Sequence, residues 1–357
     1  MRGLVWDGSE LALVDDLLHR PPGPGEVVVE IATAGLCHSD LNPIDGKITQ
    51  EVPVVLGHEA VGRIVERGPG VRLPIGTRVV LSVFRPCGAC EHCRAGRRTA
   101  CRRTAEPAAT PFSRDGLPVQ QFVRTGAFAE RTVVSQSQAI PIPEELPDAE
   151  AAMLGCATVT AFGAVEERAR VRRGETVLVV GAGGIGLNVV LAARAAGAGR
   201  IIVCDRNPRK HDIAVACGAT DFFVTPEASD VAKACLDTVP DGADAAFECV
   251  GRADLLNATI ASLGWGGRAV IVGLPSADTE LSLRIRSLFH DKALLGCRMG
   301  SVDPRTALPE LARRALAGEF SLTPLVTRVA PPSEAGDLIA DLRRGELERG
   351  FFDLRGV

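Results

Sequence analysis

One turn constrains the fold of this chain more than any other stretch. Val177-Leu-Val-Val180 is a short aliphatic run that breaks into Gly181-Ala-Gly183-Gly184-Ile185-Gly186, after which apolar residues continue to Ala196 at helical spacing. A buried strand that feeds a helix through spaced glycines is the start of a parallel βαβ unit. Gly181 permits the tight turn, Gly183 lets a pyrophosphate approach the backbone, and Gly186 lets helix and strand pack closely. The free N–H groups of the helix start, around Gly184 and Ile185, then face phosphate oxygens. Asp205 ends the next apolar run, Ile201-Ile-Val-Cys204. Its carboxylate suits ribose hydroxyls and opposes a 2′-phosphate, so NAD is expected over NADP. Arg206 follows it and is the residue able to turn towards a phosphate.

The rest of the chain divides around this unit. Val27 to Ala34, Ala60 to Glu66 and Thr77 to Ser82 read as strands among Gly and Pro corners. Cys101 to Thr125 reads as a turn-rich surface excursion. Asp148 to Gly163 reads as a helix with Ala151, Ala152, Leu154 and Thr158 on its apolar face. Beyond the glycine turn, Asp221 to Val224, Ala243 to Cys249 and Ala269 to Val272 are further buried strands joined by helical segments. That alternation favours a parallel sheet covered on both faces. Ala307 to Ala317 is helical, and Phe351 to Leu354 returns as a strand. The expected class is α/β, with a cofactor domain over 156–298. Segments 1–155 and 299–357 form one discontinuous, strand-rich catalytic domain.

The 11 cysteines are an odd number in a long chain, against an extracellular disulfide scaffold. Cys87-Gly-Ala-Cys90-Glu-His-Cys93, followed by Cys101, is a dense four-thiolate pattern. Four soft ligands close a tetrahedral zinc shell and leave no position for substrate, which suits a structural clip; His92 is superfluous to that shell. Cys37 and His58 stand in Gly35-Leu-Cys37-His38-Ser39-Asp40 and Gly57-His58-Glu59, and Cys156 in Leu154-Gly-Cys156-Ala-Thr158. Such a Cys-His-Cys set leaves one zinc position open for an alcohol or aldehyde oxygen. On spacing alone, Cys156 reads either as a ligand or as an ordinary buried thiol. Cys204, Cys217, Cys235 and Cys249 read as small core residues.

Together these motifs resemble the zinc-dependent medium-chain alcohol dehydrogenase family, over almost the whole chain. Phe247-Glu-Cys-Val-Gly251 and Ile271-Val-Gly273-Leu-Pro275 add to the likeness. The resemblance implies a GroES-like catalytic domain beside a Rossmann-type cofactor domain. It implies a catalytic zinc on Cys37, His58 and Cys156, and a structural zinc on Cys87, Cys90, Cys93 and Cys101. It also implies NAD on Gly181, Gly183, Gly186 and Asp205. Zinc would act as a Lewis acid beside the reacting oxygen, and nicotinamide would carry hydride. Asp40 is expected to orient a ligand and Glu59 to modulate the metal site. Arg349 resembles a pyrophosphate contact, and His38 holds a position that is often basic for the same purpose.

Ser39 is the expected first carrier of the substrate proton. Many relatives place a histidine three positions later, whereas this chain has Asn42, which does not titrate near neutral pH. Phe84, Phe122, Val123 and Leu274 are expected to form an apolar pocket wall. Arg298 stands where relatives usually carry an apolar residue, and as a substrate contact it would recognise a further oxygen-bearing group. The expected activity is interconversion of an alcohol with its aldehyde or ketone. The alternatives are a glutathione-dependent formaldehyde dehydrogenase-like enzyme, a specialised biosynthetic carbonyl reductase, and an inactive NAD- and zinc-binding scaffold.

A net charge of -4 and scattered arginines suggest neither a nucleic-acid nor an anionic-membrane surface. No secretory signal or bilayer-length apolar run is visible, so a cytoplasmic protein is expected. The family likeness favours a homodimer, or a homotetramer, assembled through the cofactor domain around Thr279 to Arg284.

Overall fold

In the computed structural model, which describes residues 1–102 and 110–355, the strand Glu26–Leu36 is central to the first part of the chain. Val27, Val28, Val29 and Ile31 are all fully buried, as expected of a strand covered on both faces. Glu59–Arg67 runs antiparallel along one edge. The other edge is shared by Arg131–Ser135 and by the late return Arg349–Asp353. Arg78–Leu81, Ala139–Pro141 and Val326–Ala330 complete a seven-stranded sheet. Its register places the Cys37 turn, the His58 turn and Arg349 at one end.

Phe112–Arg114 and Leu117–Gln121 form an antiparallel hairpin within the span read above as a turn-rich excursion. The signal was present in Asp115-Gly116: both have positive φ, 50° and 75°, as a two-residue hairpin turn needs. Residues 103–109 of that span lie outside the described part.

The second unit is built on a six-stranded parallel sheet. Its order is Asp221–Val224, Arg200–Asp205, Thr176–Val180, Ala243–Glu248, Leu263–Ile271, Ala293–Gly296. Thr176–Val180 comes first in the chain but lies third in the sheet, so the order reverses between it and Ala243–Glu248. The carboxyl ends of those two strands therefore flank the crevice in which such sheets bind ligands. The helix Gly184–Ala195 follows the glycine turn.

The chain divides into one unit of Met1–Cys156, Asp303–Ala317 and Val326–Val357, and another of Ala157–Val302 with Gly318–Leu325. The last segment joins the parallel-sheet unit, whereas a linear reading assigns it to the catalytic domain. Phe320 explains the return: its ring packs 4.4 Å from that of Phe162, and both rings are buried.

The helical run after Asp148 is longer and less regular than its 3.6-residue pattern predicts. Asp148–Met153 and Val159–Gly163 are α-helical, but Leu154–Thr158 and Ala164–Ala169 are π-helical turns. A π turn accommodates an extra residue and re-aims the side chains after it. Cys156 lies in the middle of the first one.

Candidate metal centres and dinucleotide site

Cys37 directly follows the central strand and caps the short helix His38–Leu41. Its backbone N–H donates to Asp40 Oδ2 at 3.0 Å. The other oxygen of the same carboxylate lies 2.6 Å from His58 Nδ1. Asp40 is completely buried, so its two oxygens have fixed duties: one holds the Cys37 turn and the other fixes the His58 ring. With Nδ1 committed to Asp40, Nε2 is the imidazole nitrogen left for a metal.

Sequence separation hides how close these groups are. The ligand atoms of Cys37, His58, Glu59 and Cys156 all lie within 4.8 Å of one another. Their electrostatics suit a cation. A hydrogen bond from Cys156 pulls the Cys37 thiol well below its ordinary value, against the effect of burial. That bond and burial push Cys156 well above its own. Burial opposes the charged His58 ring, but Asp40 outweighs it and raises His58 to about 10. Cys37, Cys156 and His58 are thus a set of donors that a divalent cation would bind as thiolates and neutral imidazole.

Glu59 is buried and ion-paired with Arg349, itself 4% exposed. Arg349, which resembles a pyrophosphate contact in the sequence, is paired with Glu59 beside the metal ligands. The reason is the sheet: Phe351 pairs with Gly35 and Gly35 with Glu59, which brings the late strand over the His58 turn. Sequence reading did not pair these residues, because 290 positions of chain separate them.

Cys87, Cys90, Cys93 and Cys101 converge in the same way, again with all ligand atoms within 4.8 Å. The N–H groups of Cys90 and Cys93 donate to the sulfurs of Cys87 and Cys90 at 3.3 and 3.5 Å. The N–H groups of Ala89 and Cys90 bring the Cys87 thiol down to about 6, and none of the four cysteines is in a disulfide. His92 is outside the ligand set. Arg98 ties this lobe to Asp303 at 2.6 Å, the residue that caps the helix Pro304–Leu316.

In the parallel-sheet unit Gly181 has φ 97°. A Cβ on Gly186 would sit 1.8 Å from the Gly181 carbonyl oxygen, whereas one on Gly183 would meet nothing within 4 Å. Gly186 is therefore needed for packing, and Gly183 leaves an open cradle of the kind a pyrophosphate fills. Asp205 Oδ2 accepts from Ala182 N at 2.6 Å and Oδ1 from Asn207 N at 2.8 Å. The acid expected to meet ribose therefore also holds the glycine turn in shape. Arg206 is exposed. Glu248, within the Phe247–Gly251 stretch that adds to the family likeness but with no role of its own expected there, is fully buried and accepts from Val250 N and Gly251 N at 2.9 Å. It shapes the opposite lip of the crevice.

Of the expected pocket residues, Phe122 lies edge-on to His58 with ring centroids 6.1 Å apart. Phe84 is buried as well, and Val123 is 41% exposed. Leu274 and Arg298 belong to the parallel-sheet unit and are exposed. Ser39 is half-buried and His38 exposed. No helix among the described residues is long and apolar enough to cross a membrane.

Comparison with known proteins agrees with this geometry. The profile for the alcohol dehydrogenase GroES-like domain matches residues 23–144, and that for zinc-binding dehydrogenase matches 184–316. An S-(hydroxymethyl)glutathione dehydrogenase of Escherichia coli is 36% identical over 340 residues, 91% of this chain and 92% of that protein. Among solved structures, an alcohol dehydrogenase zinc-binding domain protein from Burkholderia ambifaria superposes with a TM-score of 0.92 at 30% identity, covering 99% of this chain and 98% of that one. Benzyl alcohol dehydrogenase from Acinetobacter calcoaceticus gives 0.91 at 28%, with the same coverage. The chain belongs to the zinc-dependent medium-chain alcohol dehydrogenase family. It is a zinc- and NAD-linked oxidoreductase of alcohol or carbonyl substrates, with one catalytic and one structural metal centre.

Proposed function

We propose that this enzyme oxidises S-(hydroxymethyl)glutathione, the adduct of formaldehyde and glutathione, with NAD as acceptor. The observation that carries the reading is the 36% identity to an enzyme of that name across nine-tenths of both chains. Arg298 supports it: an exposed guanidinium suits a substrate that carries carboxylates besides its reacting carbinol.

In this reading Cys37, His58 and Cys156 hold the catalytic zinc, and Cys87, Cys90, Cys93 and Cys101 the structural one. Bound zinc and NAD supply a Lewis acid and a hydride acceptor. The chain does the rest. Asp40 keeps His58 oriented, and Arg349 keeps the Glu59 carboxylate paired. Phe84 and Phe122 keep water from the reacting carbon. Ser39 takes the hydroxyl proton as the carbinol is oxidised to an S-formyl thioester. Asn42 cannot accept that proton, so it leaves through water, His38 or the cofactor ribose. The glycine turn holds pyrophosphate and Asp205 the ribose.

The test is NADH formation from formaldehyde with and without glutathione. Turnover that requires glutathione supports the reading; equal turnover without it overturns it. A second reading, oxidation of an unconjugated aromatic alcohol, is favoured by Phe122 against His58 and by the likeness to benzyl alcohol dehydrogenase. Benzyl alcohol in the same assay separates the two.

We also assign a homodimer formed through the edge strand Ala293–Gly296. Trp265, Ile285 and Phe289 in the same unit are 81%, 89% and 78% exposed, a liability at a sheet edge unless another chain covers it. Sedimentation at micromolar concentration would show a dimer; a monomer would refute the assignment. The free thiols support a reducing compartment, the cytoplasm, as the enzyme's location.

A further inference from the structure

The helix Gly184–Ala195 is apolar nearly all round. Of its eight buried residues, Asn188 alone is polar, and it is completely inaccessible to solvent. An amide in that position needs partners, and its two ends meet partners of different kinds. Its Nδ2 donates to the carbonyl of Gly184 at 2.7 Å, one turn back, at the start of the dinucleotide helix. Its Oδ1 accepts from Thr158 Oγ1 at 2.9 Å. Thr158 is also fully buried and is the last residue of the π turn Leu154–Thr158 that carries Cys156.

The other end of that π turn is pinned as well. A Cβ on Gly155 would lie 2.4 Å from the Leu81 carbonyl oxygen, so backbone presses on backbone there. Cys156 stands between the two anchors. A π turn has room to shift register, and the side chain it aims depends on what holds its ends. Here one end is held by close packing. The other is held by a side-chain hydrogen bond that leads, through the Asn188 amide, to the carbonyl of Gly184 at the start of the helix after the glycine turn.

We infer that Asn188 and Thr158 are positioning residues that couple occupancy of the dinucleotide turn to the placement of Cys156 at the catalytic metal. The inference rests on Cys156 being a ligand of that metal. Both side chains are wholly enclosed and act through their mutual hydrogen bond. A shift of the helix start on binding pyrophosphate would carry the Gly184 carbonyl and the Asn188 amide with it, and through its hydrogen bond Thr158. Coupling between binding sites is reciprocal: the metal changes NADH affinity by the same factor as NADH changes metal affinity.

The experiment measures the NADH dissociation constant of the full-length enzyme, with the catalytic zinc present and after its selective removal. It is paired with the cobalt–thiolate absorption of enzyme carrying Co2+ at that site, recorded with and without NADH. In the natural protein the two dissociation constants differ by about fivefold or more, the lower end of ordinary coupling, and NADH shifts the cobalt band. In Thr158→Val the ratio falls to below about twofold and the band no longer moves, while Thr158→Ser keeps both responses. Should the valine variant not fold, Asn188→Ser gives the same information, since a serine can still bond the carbonyl one turn back but is too short for Thr158. An unchanged ratio and band shift in either variant overturns the inference, as does the lack of any ratio in the natural protein. Failure of the ligand assignment is distinct: Cys156→Ala would then retain the natural cobalt–thiolate band.

Discussion

Asp40 carries two obligations on one carboxylate, and this makes it the most revealing residue to alter. One oxygen accepts from Cys37 N and the other meets His58 Nδ1. An amide offers a single acceptor, so Asp40→Asn must turn an NH2 group towards one of two donors in a site closed to water. Zinc affinity at the catalytic site should fall about 10- to 100-fold, with the four-cysteine zinc retained. Metal analysis after dialysis against a weak chelator reads this directly: two zinc ions per chain in the natural enzyme and one in the variant. Equal retention would show that Asp40 is not needed to orient His58. Arg298 tests the substrate instead. Because it is exposed, screening limits its contact to about 1 kcal/mol, or roughly fivefold. Arg298→Leu should lower kcat/KM for the glutathione adduct by that factor and leave a simple primary alcohol unaffected. An unchanged ratio between the two substrates would make Arg298 a surface residue.

Ion pairs between elements set part of the pH response. Arg268, on the strand Leu263–Ile271, makes two hydrogen bonds at 3.2 and 2.6 Å to Glu175, just before the strand Thr176–Val180. Burial pushes the Glu175 carboxyl up, but Arg268 and the N–H of Arg172 outweigh it and hold it below its ordinary 4.5. A depressed carboxyl stabilises the fold above its unfolded pKa and loses that contribution as pH falls through the lower folded value. Glu175→Gln should therefore lower Tm at neutral pH by about 2 to 4 °C, for a loss near 1 kcal/mol. The deficit should shrink as pH falls below about 4. Scanning calorimetry at several pH values checks it, and a deficit independent of pH would mean that packing, not charge, is responsible.

At the scale of the whole molecule, the two metal centres have different work. Three protein ligands with a neighbouring Glu59 leave chemistry open at one, and four thiolates close the other. Cys156→Ala should give a folded protein with one zinc and no turnover. Cys90→Ala should chiefly reduce soluble yield and Tm, because its zinc organises a lobe docked through Arg98 and Asp303. Matched circular dichroism, zinc content and kcat for the two variants decide it. Equal loss of activity in two equally folded proteins would contradict the division.

Much of this was legible in the residues. The glycine turn, Asp205 and the four-cysteine spacing are local patterns, in which the chemistry depends on neighbours a few positions apart, so the chain alone determined the parallel-sheet unit and the closed metal lobe. The Asp115-Gly116 hairpin was equally readable and was passed over. What the chain did not disclose depended on contacts across long separations or on departures from regular periodicity. Cys156 could be read as a core thiol until its π turn brought it to Cys37 and His58, because a 3.6-residue pattern carries no sign of an inserted residue. Arg349 belonged beside Glu59 only once the late strand had paired with Glu26–Leu36. Asn188 is a lone polar residue on the buried face of an apolar helix, and only tertiary packing sets Thr158 against it. Local steric and hydrogen-bonding rules act within a few residues and can be read directly, whereas burial of a charge or an amide is settled only when distant segments exclude water together.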